Sequence, residues 1–276
     1  MDPTAGLAFK PEHFDEALAA SAVGLWFEVH AENYMVPGGP RLAMLSALRE
    51  ARPLSLHGVG LSLGGHERPD VEHLAALVRL VDRFDPFLVS EHLAWSRVGT
   101  RCMPDLLPVP RTFEALECVC RNIDIVQHAL GRQVLIENPA HYLPIEADWC
   151  EPDFLAAIVG RTGCGLLIDV NNVAVAAYNL GLDAGAYLMA LPHWAIAEIH
   201  IAGHTQDPDP AIDLLIDSHD APVGECVWDL LDILLDLTGP RPVLLERDGN
   251  VPPFSELMAE RDRAAATLAN KELVDA

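Results

Sequence analysis

Eight short apolar runs, each followed by a stretch long enough for a helix, constrain this chain more than any other feature. The runs are GLAFK (6–10), LWFEVH (25–30), LSLHG (54–58), FLVSEHL (87–93), VLIEN (134–138), GLLIDV (165–170), AEIHIAG (197–203) and VLLERD (243–248). Between them lie segments with helical periodicity, among them RLAMLSALREA (41–51), VEHLAALVRLVDRF (71–84), TFEALECVCRNIDIVQHALG (112–131) and EPDFLAAIVGRTG (151–163). Strands that are apolar almost throughout and separated by helices are buried on both faces, and therefore parallel. Eight such units predict an α/β fold of the (β/α)8 TIM-barrel type, with residues 1–276 as a single domain. Ile212 to Ile216 could pass for a ninth strand. Only 17 residues separate His200 from Asp217, however, too few for a parallel crossover with its helix. VWDLLDILLDLTG (227–239) stands where the last barrel helix belongs, so 204–221 reads as an excursion of the loop after strand seven.

The polar residues of these runs gather at their C-terminal ends. They are Glu28 and His30, His57, Glu91 and His92, Glu137 and Asn138, Asp169, His200, and Glu246; the excursion adds Asp217 and His219. In a barrel these ends share one rim, the rim that carries active sites. Taken singly, a strand histidine is more often a hydrogen-bonded core residue, and a rim glutamate half of an ion pair. Ion pairing needs cations, and the strand ends offer almost none, Arg247 being the main exception. Carboxylates crowded without counter-charge repel one another. Metal ions remove that penalty, and imidazoles suit the same role. Nitrogen and oxygen donors without cysteine favour iron, manganese or zinc, and their number exceeds the needs of one ion.

Composition narrows the function classes. The formal net charge is −23, from 41 acidic and 18 basic residues, which disfavours nucleic acid and anionic membrane surfaces as partners. No long apolar span and no basic-then-apolar leader occurs, so the expected location is cytoplasmic. The six cysteines, at 102, 118, 120, 150, 164 and 226, form neither a CxxC pair nor a zinc-finger spacing. They read as reduced and mostly buried thiols.

Several motifs in fixed order carry a resemblance. FEVHAENYM (27–35), PLSLHGVGLSLGG (53–65), VSEHLAWS (89–96), DLLPVP (105–110), LIENPAHYL (135–143), LLIDVNNVAVAAYN (166–179), EIHIAGH (198–204), IDSHDAPV (216–223) and LLERDGNVP (244–252) together resemble the multinuclear non-heme iron-dependent oxidative enzymes, over essentially the whole chain. The resemblance implies a xylose-isomerase-like barrel holding two or three irons in a mixed-valent Fe(II)/Fe(III) centre, with O2 as co-substrate. One iron would take His57, His92 and Glu137, with Glu137 bridging; a second would add Asp169, His200 and Glu246. A third would use Asn172, Asp217 and His219, and adjacent Asn171 leaves the register of the asparagine open. The implied activity is oxidative modification of a residue, most often cysteine, in a ribosomally made precursor peptide. A partner protein that recognises the leader peptide is also implied.

The alternative is a metal-dependent hydrolase or isomerase on the same barrel, resembling endonuclease IV or xylose isomerase. A DNA-acting enzyme needs a basic footprint that this composition lacks. A non-catalytic metal carrier is a weaker third reading. Glu32, Asn33 and Tyr34 read equally as a loop cap or as lining of a peptide channel, and His204 as an exposed loop histidine. Cys102 has no second cysteine at motif spacing. His13, His66, His73, His128 and His193 lie away from strand ends and read as structural.

Overall fold

All eight apolar runs form strands in the computed structural model, which describes residues 4–99, 101–145 and 147–274. In chain order the strands begin with β1 (Ala5–Ala8), β2 (Phe27–His30), β3 (Leu54–Gly58), β4 (Leu88–His92), β5 (Trp95–Val98) and β6 (Arg101–Leu107). They continue with β7 (Leu135–Glu137), β8 (Gly165–Asp169), β9 (Ile196–Ile201), β10 (Thr205–Gln206), β11 (Leu215–Ile216) and β12 (Val243–Leu245). The barrel closes in the order β1-β12-β9-β8-β7-β4-β3-β2, and every pairing in it is parallel. The protein is a (β/α)8 TIM barrel, as the alternation of apolar runs and helices requires.

The helices cover the barrel with one apolar face each. Val71–Phe84 shows why: Leu74, Leu77, Leu80, Val81 and Phe84 recur at helical spacing and are all buried. Asp70 caps its first turn by accepting the amide of His73 at 2.8 Å, and Asp85 ends it in the left-handed conformation. No helix among the described residues is long and apolar enough to cross a membrane.

Two departures from the sequence reading, and one expectation met, matter for the rim. β8 stops at Asp169 rather than Val170, because Asp169 caps the helix Val170–Leu180 directly. The antiparallel hairpin β5–β6 was not expected; its alternation is weak, β6 is mostly exposed, and only Gly99, at φ 58°, marks the turn. The excursion after β9 is a loop, as expected, and is pinned by the two-residue pairing of β10 with β11. It returns against the end of β9 so closely that a Cβ on Gly203 would stand 2.1 Å from the carbonyl oxygen of Ala221.

That contact is with backbone, which cannot swing aside. Gly203→Ala is expected to cost about 1–3 kcal/mol of overpacking and to lower the thermal midpoint. An unchanged midpoint in calorimetry would show that the excursion loop is not seated as described.

Candidate metal centre

Side chains alternate along a strand, and the barrel register turns one set inward. Pairings of His30 with His57, His57 with Ser90, His92 with Glu137 and Asp169 with His200 bring residues far apart in sequence to one level. Glu246 follows β12 immediately, and its amide donates to the carbonyl of Ile201 at 2.9 Å. The rim expected from the sequence is therefore a real cluster. Glu91 faces the opposite side of β4, where its carboxylate accepts the amides of Leu61 and of His92 at 3.2 Å. Asn138 also serves the backbone, exchanging hydrogen bonds with the amide and carbonyl of Asp169.

His57 Nε2 and His92 Nε2 lie 3.1 and 3.2 Å from Glu137 Oε2 and 3.4 Å from each other. Ligand atoms on bonds of about 2.1 Å to one ion stand about 3.0 Å apart in an octahedron and about 3.4 Å in a tetrahedron. The remaining ring nitrogens are engaged: His57 Nδ1 meets Ser90 Oγ at 2.7 Å, and His92 Nδ1 meets the Gly58 carbonyl at 2.9 Å. A carbonyl only accepts, so His92 carries a proton on Nδ1, and Nε2 is the nitrogen that faces Glu137. A shared cation makes that arrangement attractive. Burial, with His92 opposite, brings His57 down to about 4. Burial raises Glu137, but His92 and His57 outweigh it and hold the carboxyl at about 2.

Asp169 has two tasks. Its Oδ1 accepts the amide of Asn172 at 2.7 Å and caps the helix, while its Oδ2 is buried without a hydrogen-bond partner. Ligand atoms of Glu137, Asp169 and His200 lie within 4.8 Å of one another, as do those of Glu28, His200 and Glu246, and of Asp169, His219 and Glu246. Asp169, His200 and Glu246 thus belong to overlapping triads rather than to one. Glu28, which the sequence reading left outside its ligand sets, enters the cluster. Glu198, two residues before His200, was missed altogether; its position two residues upstream on the same strand face was the available signal.

His219 stands 2.7 Å from Asp217 Oδ1 through Nε2 and 3.1 Å from Glu246 Oε2 through Nδ1. Its backbone is left-handed, φ 48°, a strain of about 1–3 kcal/mol for a non-glycine residue. The amide of Asp248 donates to its carbonyl at 2.7 Å and helps hold the turn. The two asparagines separate clearly. Asn171 is engaged at both ends, donating to Asp217 Oδ1 at 2.6 Å and meeting His204 Nδ1 at 2.7 Å through Oδ1. Asn172 donates to the carbonyl of Asn138 at 3.0 Å and leaves its buried Oδ1 unpartnered.

The donor set fits metal ions. Glu28, Glu137, Asp169, Glu198 and Glu246 are each at most 3 % exposed. Burying one charge costs several kcal/mol unless it is paired. Arg247 does not pair with them; it turns to Glu260 at 2.9 Å. Lys10, a cation at the rim that the strand-end reading passed over, is held by Asp248 at 2.8 Å. Buried polar atoms without hydrogen-bond partners concentrate here: Glu28 Oε1, Glu137 Oε2, Asp169 Oδ2, Asn172 Oδ1, both oxygens of Glu198 and both nitrogens of His200. Burial pushes Glu28, Asp169 and Glu198 up, and the carboxylates around His200 and His219 overcome burial to raise both imidazoles.

Other expectations sort by contact. Glu32 accepts the amide of Val59 and pairs with His73, both at 3.1 Å, which makes it a loop anchor. His204 is half-buried against Asn171, not an exposed loop histidine. Only Cys120 and Cys164 are buried; Cys102, Cys150 and Cys226 are exposed, against the expectation of mostly buried thiols, and all six are free. Surface cysteines tolerate water, so burial could not be inferred from their number.

Residues 4–269 match the family of RiPP precursor modification enzymes described as MbnB/TglH/ChrH, where RiPP denotes ribosomally synthesised, post-translationally modified peptides. The chain belongs to this family. A UPF0276 protein of Caulobacter vibrioides is 59% identical over 271 residues, covering 98% of this chain and 96% of its own. Another, from Bordetella bronchiseptica, is 54% identical over 267 residues, covering 96% and 92%. Among solved structures, endonuclease IV from Thermus thermophilus superposes with a TM-score of 0.60 at 20% identity, over 97% of this chain and 99% of that one. A xylose isomerase-like TIM barrel protein from Mycobacterium smegmatis, in complex with magnesium, gives 0.61 at 13% identity over 98% of both. At such identities the likeness is one of fold.

Ions that bind only the folded family member stabilise it, by about 2.7 kcal/mol at a hundredfold excess over the dissociation constant. Anaerobic addition of Fe(II) to chelator-treated protein is expected to raise the thermal midpoint and to leave bound iron after gel filtration. No shift and no retained metal would refute the fit.

Proposed function

We propose that this family member is a multinuclear iron-dependent oxidase that uses dioxygen to modify a residue, cysteine foremost, of a ribosomally made precursor peptide. The observation that carries the reading is the gathering of partnerless, buried imidazole and carboxylate atoms at one barrel rim in a member of a precursor-peptide-modifying family. His57, His92 and Glu137 would hold one iron, and Asp169, His200 and Glu246 a second, with Glu137 the donor that would serve both. Asn172, Asp217 and His219 would hold a third; the partnerless Oδ1 supports Asn172 over Asn171.

Bound iron supplies Lewis acidity toward a thiol and redox chemistry with dioxygen. The chain supplies the setting. A cavity of about 280 Å³ opens onto His57, His92, Glu137, Asn172, His219 and Glu246. Ala94 and Leu106, from the hairpin side, and Tyr142 add apolar surface to its wall, which orients a peptide side chain and thins the water around it. Asn171 fixes the carboxylate of Asp217, and Tyr142 Oη accepts the Asp217 amide at 3.1 Å, so the loop-borne donors face the same space. The reading carries with it a leader-recognising partner protein and a cytoplasmic setting. A hydrolase acting on DNA sits poorly with the net charge of −23.

Metal analysis and oxygen uptake test the proposal. Protein purified without oxygen is expected to hold two to three irons and to consume O2 with a cysteine-containing precursor peptide. Glu137→Ala is expected to weaken iron binding more than about 100-fold and to abolish uptake, whereas His219→Ala sheds one equivalent only. Reconstituted protein that holds zinc alone and consumes no oxygen with any peptide would end the oxidase reading. Full iron in Glu137→Ala would refute the bridge.

A further inference from the structure

We infer that Glu28 and Glu198 form a buried carboxylate floor that orients His200, turning Nε2 down the barrel axis and presenting Nδ1 to the metal. The inference rests on the metal reading of the rim and assigns roles to two residues outside its ligand sets.

Glu198 precedes His200 by two residues on β9 and shares its inward face, one layer deeper. Glu28, on β2, reaches the same layer from across the barrel. His200 Nε2 stands 3.3 Å from Glu28 Oε1 and 3.7 Å from Glu198 Oε1, whereas Nδ1 faces Glu246 Oε1 at 3.5 Å. Glu28 is itself aimed: Ser55 Oγ donates to its Oε2 at 2.7 Å, which leaves Oε1 for the histidine. Ser55 and Glu198 are fully buried, and among the described residues no arginine or lysine pairs with either carboxylate. Besides the Ser55 hydroxyl, the imidazole is a donor close to both carboxylates. An N–H on Nε2 faces the floor, held by charge at 3.3 and 3.7 Å rather than by a formed hydrogen bond, and leaves the lone pair on Nδ1, beside Glu246. A histidine held by a carboxylate behind it is the usual means of fixing tautomer and ring angle at a metal. Asp169, by contrast, is oriented by the helix cap, and His57 and His92 by Ser90 and the Gly58 carbonyl. His200 has the floor on its Nε2 side.

Replacing both acids by glutamine keeps their volume and removes the charge. Co(II), whose d–d absorption reports coordination geometry, is the probe, added anaerobically to chelator-treated wild type, Glu28→Gln, Glu198→Gln and the double variant. The double variant is expected to bind one Co(II) equivalent about 10–100-fold more weakly, with altered d–d bands for that equivalent. The equivalent at His57, His92 and Glu137 keeps its affinity, and Glu28→Asp recovers part of the loss. Affinities and spectra identical to wild type would overturn the inference. So would a uniform weakening of every equivalent together with a lower metal-free thermal midpoint, which would mark damage to the fold. Wild type that binds no metal would instead overturn the metal reading itself, and lack of oxygen uptake touches neither Co(II) result.

Discussion

Five buried carboxylates, Glu28, Glu137, Asp169, Glu198 and Glu246, converge on the mouth of one barrel with imidazoles in place of lysines and arginines between them. Their mutual repulsion is the constraint that the rest of the structure answers. A barrel interior is otherwise filled by apolar layers, so charge at this depth survives only where the surrounding strands hold it rigidly and a cation balances it. The strands do hold it: Glu28 and His57 are aimed by hydroxyls, His92 by a carbonyl and Asp169 by its helix cap. Rigid aiming of mutually repelling groups is what a preorganised ion site requires.

Asp169 shows how economically this is done. In a barrel the strand must hand over to a helix, and the first amides of that helix need an acceptor. Asp169 provides it with one oxygen and keeps the other for the mouth. The strand end, the helix start and the candidate ligand are one residue. Its neighbours divide in the same way, Asn172 facing inward with a partnerless oxygen and Asn171 bound into the network of Asp217 and His204.

Around this ring sit two additions tied down by their own pairings. The β5–β6 hairpin contributes Leu106 to the wall of the mouth, and the excursion after β9 contributes Asp217 and His219. The excursion is strained at His219 and closed tightly over Gly203, so its donors are positioned by loop contacts rather than by strand pairing. A peptide-modifying enzyme gains from that division: strands keep the permanent donors, and loops shape what enters.

Fold class and most of the rim were legible in the sequence because both follow from local patterns. Apolar runs of strand length alternating with helices leave few architectures, and a barrel sends every strand end to one rim, so His57, His92, Glu137, Asp169, His200 and Glu246 could be collected without coordinates. The choice between Asn171 and Asn172, the entry of Glu28 and Glu198 into the cluster, and the diversion of Glu91 and Arg247 away from it could not be. Those depend on register, on the side of a strand a residue faces and on which oxygen another element has already engaged, distances of an ångström or two between segments tens to hundreds of residues apart. The hairpin at 95–107 escaped for a related reason, since an exposed two-stranded ribbon has little apolar periodicity to betray it. The sequence by itself determined that this chain would close a barrel and bring acid and imidazole to its mouth, because burial and chain alternation act locally. Which atoms face one another there was decided by the tertiary structure alone, because only closure of the barrel sets their distances.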